Sequence, residues 1–79
     1  MSSMKEAFDA LMEATADTLD WFEAGPIRVA IIGPYGIVER ATYTDVYEQD
    51  DHGVDQLIIT TNTTVHALSL IRQRCLLDA

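Results

Sequence analysis

Apolar residues, with threonine at two of the positions, recur at three- and four-residue steps from the start of the chain: Met4, Phe8, Leu11, Thr15, Thr18 or Leu19, and Phe22. That period lines them along one side of a cylinder and predicts a helix over residues 3–24. Ser2 or Ser3 can cap its start, and Glu6, three residues after Ser3, completes a capping-box pattern. Gly25-Pro26 ends it, because glycine permits the left-handed terminal conformation and proline cannot continue a helix.

Beyond Pro26 the pattern becomes β-branched. Residues 27–32 predict a first strand. Gly33-Pro34-Tyr35-Gly36 then reads as a type I turn, with Pro34 at the second position, Gly36 at the fourth and Tyr35 at the exposed tip. Residues 37–47 predict a second strand, with a bulge or bend where alternation fails near 39–41. The polar stretch 48–53 is the next turn, and 57–61 the third strand. Asn62, Thr63 or Thr64 can cap a final helix that runs to about Leu77. Leu68, Ile71 and Cys75 share one of its faces, while Val65, Leu70, Leu76 and Leu77 lie elsewhere around it. Such a helix is buried by two neighbours, and a second copy of the chain is a candidate for one of them. The expected architecture is therefore α+β: helix, three-stranded antiparallel sheet, helix, in a single domain over residues 1–79.

Composition narrows the function classes. Five Lys/Arg against thirteen Asp/Glu give a formal charge of −8 over 79 residues, and 48% of the chain is apolar. Disorder is a poor reading of so apolar a chain, and the lone Cys75 excludes an internal disulfide. The five basic residues are scattered, which argues against direct nucleic-acid binding. The basic start and apolar run of a secretory signal are missing, and no stretch approaches the length of a membrane span. The expected location is cytoplasmic, with no membrane partner.

Charge acquires a pattern only in the first helix. Glu6, Asp9, Glu13, Asp17 and Asp20 follow one another at helical steps, with Glu23 at the edge of the same stripe. On a helix the first five fall within roughly 80° of one another, and the whole stripe spans about 25 Å. Like charges at this spacing cost a few tenths of a kcal/mol per pair, so stability alone does not favour the arrangement. Their spacing is comparable to that of phosphates along a nucleic-acid strand, which suits a basic groove on a partner protein. Glu48, Asp50, Asp51 and Asp55 add a second acidic patch.

Other chemistry is weaker. Asp50-Asp51-His52-Gly53-Val54-Asp55 has oxygen ligands but not the spacing of a calcium loop, and reads as a hairpin loop. Gly33-Pro34-Tyr35-Gly36 lacks the Gly-Lys-Ser/Thr ending of a phosphate loop. Cys75 is expected on a core face, where a thiol is inert, and His66 to pack or be solvated. No metal, no cofactor and no enzymatic activity are expected. Trp21 reads as a cover for the core edge, whereas Tyr35 is a candidate partner contact alongside the stripe.

Small size, the carboxylates Glu6, Asp9, Glu13, Asp17 and Asp20 and a helix-sheet-helix plan resemble the broad class of phage-encoded inhibitors of host machinery, anti-CRISPR proteins among them. Several members of that class occupy nucleic-acid-binding grooves with carboxylates. The resemblance implies an inhibitor that binds a basic, nucleic-acid-binding partner. A second resemblance is to phage head–tail joining proteins, in which an N-terminal helix leads into a small β-domain; it implies a structural subunit, with the last helix as the contact between copies.

Overall fold

The computed structural model describes residues 9 and 11–78. Five antiparallel strands lie side by side in chain order: β1 (Phe22–Ala24), β2 (Ile27–Ile32), β3 (Tyr35–Glu39), β4 (Thr44–Gln49) and β5 (Asp55–Thr61). A helix, Thr64–Asp78, follows the sheet, and Asp9 and residues 11–13 are helical before it. The domain is α+β, but its sheet has five strands, not the three expected from the sequence.

The two Gly-Pro dipeptides account for part of the difference. Ala24 pairs with Ile27 and Ile32 with Tyr35, so Gly25-Pro26 and Gly33-Pro34 are both two-residue hairpin loops. Gly25 (φ 64°) and Gly33 (φ 58°) take the positive φ that the first position of a II′ loop demands. Proline follows at a position where its fixed φ is accommodated. Gly25-Pro26 is therefore not a helix stop, and the three residues before it are strand. The second loop sits one residue earlier than a type I turn over 33–36 would place it, and this moves Tyr35 from a turn tip onto a strand. The remaining strand comes from dividing 37–47. Residues 40–43 are a tight loop closed by the Arg40 N–H on the Tyr43 carbonyl at 2.8 Å. The bulge lies elsewhere, on β5. Val46 pairs with Ile59 and Tyr47 with Leu57, so Ile58 is the extra residue.

The predicted helix over 3–24 also ends early: residues 14–21 form turns and irregular backbone. Thr18 Oγ1 accepts the Thr15 N–H at 2.8 Å and donates to the Thr15 carbonyl at 3.1 Å. Short hydroxyl side chains of this kind offer backbone groups partners that a helix would otherwise supply. At the other end of the chain, Thr63 caps the final helix by accepting the His66 N–H at 3.1 Å.

Alternation assigns the faces of the sheet. Ala30, Ile37 and Val46 form a cross-strand row, with Tyr35 beside it, and meet Leu11, Ala14, Ala67, Leu68 and Ile71 in the core. Fully burying a side chain such as Ile37 or Ile71 contributes about 1.5–3 kcal/mol. Both helical segments lie on this face. Phe22, Val29, Ile31, Val38, Tyr47 and Leu57 point the other way.

Candidate functional site

The segment 14–21 must travel from the helical turn to β1, and its path creates the site. Its course is fixed by the Thr15–Thr18 turn and by Trp21, whose Nε1 donates to the Ala16 carbonyl at 2.7 Å. Because β1 pairs only with positions 27–29 of β2, Ile31 and Ile32 lie beyond its paired length. Between them and the incoming segment is an open groove of about 400 Å³, lined by Glu13, Ala14, Thr18, Leu19, Asp20, Ile31 and Ile32. The lining thus combines two carboxylates with the aliphatic residues Leu19, Ile31 and Ile32, the last two on opposite faces of β2 where it runs past β1.

Of the six carboxylates of the predicted stripe, the five among the described residues are dispersed. Glu6 lies outside the described residues. Asp9 and Glu13 are helical and exposed, Asp17 is in a turn, Asp20 lies in irregular backbone, and Glu23 is in β1. No helical ladder with phosphate-like spacing exists over residues 14–23, because the helix does not reach them. Glu13 and Asp20 come together at the groove. Asp17 and Glu23 instead act on Arg28, whose guanidinium is held charged first by its hydrogen bond to Glu39 and more weakly by their fields.

Arg28 anchors the neighbouring wall. Its Nε donates to Glu39 Oε1 at 2.7 Å, and its guanidinium carbon lies 4.2 Å from the centroid of the Trp21 ring. Thr64 Oγ1 donates to Glu39 Oε2 at 2.6 Å. These two contacts, Arg28 first and Thr64 next, hold the Glu39 carboxyl below its ordinary range. Trp21 therefore covers the core edge, stacked on Arg28.

Tyr35 is not a surface contact. It is 6% exposed, and its hydroxyl lies 3.4 Å from Cys75 Sγ. Burial first, and the thiol second, push its phenol well above the usual range. In the second acidic patch, Asp50 closes its own loop: Oδ1 accepts the N–H groups of His52 at 2.8 Å and Val54 at 2.9 Å. Those contacts, Val54 foremost, lower its carboxyl. No group of three or more His, Cys, Asp or Glu arranged to hold a metal occurs among the described residues. No helix among them is long and apolar enough to cross a membrane.

Sequence reasoning overlooked Thr18, Leu19, Ile31 and Ile32 as site residues. The signal that reveals them is the hairpin in Phe22-Glu23-Ala24-Gly25-Pro26-Ile27, because recognising β1 forces the chain before it off the helix. Compared with known protein families, curated proteins and solved structures, the chain matches none.

Proposed function

We propose that the chain is a non-enzymatic binding module that takes a basic segment of a partner protein, with the groove as its recognition site. The observation that supports this reading is that Glu13 and Asp20 line the same groove as the aliphatic residues Leu19, Ile31 and Ile32. A lysine or arginine is built the same way, with an apolar stem and a charged head, and suits a site that offers both surfaces. Among the described residues no basic side chain lines the groove and neither carboxylate is engaged in an ion pair.

A partner whose Lys or Arg otherwise hold phosphate would be inhibited by such binding, as expected from the charge of −8. Exposed pairs contribute about 0–1 kcal/mol each, so affinity also depends on the stem packing on the aliphatic lining. The pairs weaken with salt, since screening acts over about 10 Å at 0.1 M.

Titration of the labelled protein with an arginine-rich peptide tests the reading by backbone amide shifts. Shifts concentrated on Glu13, Thr18, Asp20 and Ile31, abolished by Glu13→Lys with Asp20→Lys, are the expected result. Equal shifts at Asp51 and Asp55 would mean diffuse attraction to an acidic surface and would refute the groove.

A further inference from the structure

We infer that the sheet face opposite the helices is a contact between two copies of this chain. Cross-strand register builds the face from two rows: Phe22, Val29, Val38, Asp45 and Thr60, then Ile31, Gly36, Tyr47 and Leu57. Neither helical segment covers it, and Ile31 and Phe22 are 73% and 64% exposed.

Charge selects where copies of a chain carrying −8 can meet. Most surfaces would bring unpaired carboxylates together. Here the central carboxylate, Asp45, is only 6% exposed and already neutralised. Arg40 Nε donates to its Oδ2 at 2.9 Å and Thr60 Oγ1 to its Oδ1 at 2.7 Å. Asp55 stands only at the loop end of the face. The area is sufficient as well. Five strands about 4.8 Å apart and averaging some 17 Å in length give roughly 400 Å² in projection, and about 600 Å² of accessible surface with side-chain relief. That reaches the lower end of stable interfaces, about 600–1,000 Å² per partner.

Shape supplies the third argument. Gly36 lies between Ile31 and Tyr47 in its row, and a Cβ built on it meets nothing within 4 Å. The face therefore carries two ridges and the notch between them. A two-fold contact needs one surface that provides both halves of the fit, and sheets stacked about 10 Å apart interdigitate in this way. The contact is separate from the last helix, where the sequence alone suggested self-association, and does not depend on the groove's partner, although Ile31 borders both surfaces.

Sedimentation equilibrium of the full chain, from micromolar to near-millimolar concentration and at about 0.1 M and 1 M salt, tests the inference. The expected result is a dimer that holds or tightens in high salt. Gly36→Lys fills the notch without crowding the monomer, and should raise the dimer dissociation constant about tenfold or more with circular dichroism unchanged. Should that variant unfold, Phe22→Lys at the exposed edge provides the same test. A wild-type chain that stays monomeric at the highest concentration overturns the proposal. So does a dimer of unaltered affinity in the folded variant, which would point instead to Val65, Leu76 and Leu77 on the helix.

Discussion

Arg72, on the last helix, donates its Nε to the carbonyl of Leu11 at 3.1 Å and its Nη2 to the carbonyl of Ala14. Those carbonyls close the N-terminal helical turn, where helix acceptors run short of internal partners; the Leu11 carbonyl also accepts the Ala14 N–H at 3.3 Å. A guanidinium from 61 residues away supplies the donors and places positive charge at the negative end of the turn. Arg72 does not serve the dipole of its own helix, whose last turn holds no basic residue. This contact fixes the wall that carries Glu13, and therefore one side of the groove.

Arg72→Met should destabilise the fold by about 2–3 kcal/mol, the usual loss for a part-buried charged donor with two acceptors. Arg72→Lys should recover only part of that, since an ammonium lacks the planar fork. Denaturant midpoints measure the loss, and hydrogen exchange localises it. Unchanged protection of the amides in residues 11–20 would contradict the pinning role.

Acid should loosen the link between the sheet and the last helix. Glu39 ionises at lower pH in the folded protein than in the unfolded chain, mainly through Arg28 and then Thr64. The unfolded chain therefore takes up the proton first. Its contribution is complete above the ordinary glutamate value of about 4.3 and is lost as pH falls through the folded value. In Glu39→Gln the stability profile below about pH 4.5 should be flatter than in the wild type. Urea midpoints across that range decide it, and parallel profiles would remove Glu39 from the acid response.

Alkali should act through Tyr35, whose folded value is raised by burial and then by Cys75. The unfolded phenol ionises near pH 10, so its contribution is full below that value and is lost as pH rises toward the folded one. One of the three tyrosines should therefore yield tyrosinate absorbance only as the protein unfolds. Tyr35→Phe should abolish that late step at a cost of about 1 kcal/mol or less. Early ionisation of all three would show that the core admits water at Tyr35.

Glycines should divide by backbone angle. Gly25→Ala and Gly33→Ala force a Cβ into the positive-φ region and should each cost about 1–2 kcal/mol. Gly36 is not among the positive-φ positions and has open space around it, so Gly36→Val should be neutral or stabilising in the monomer. Thermal melts of the three variants check the order; an intolerant Gly36 would mean its face is already occupied.

Local pattern determined much of this protein. The final helix and its Leu68-Ile71-Cys75 face, the strands at 27–32 and 57–61, and the turn expected at 48–53, whose first two residues are instead the end of β4, follow from period, β-branching and turn chemistry, which act within a few residues. The helical spacing of residues 3–24 misled because period alone does not weigh competitors. Thr15 and Thr18 hydrogen-bond locally, and Phe22–Ala24 pair with β2 across a glycine loop that also resembles a helix stop. Only tertiary structure decided that Glu13 and Asp20 meet at a groove, because strand pairing and the Arg72 contact set their positions. It also buried Tyr35. In a strand each one-residue step reverses the face, so the placement of a two-residue loop decided whether that ring met solvent or the core.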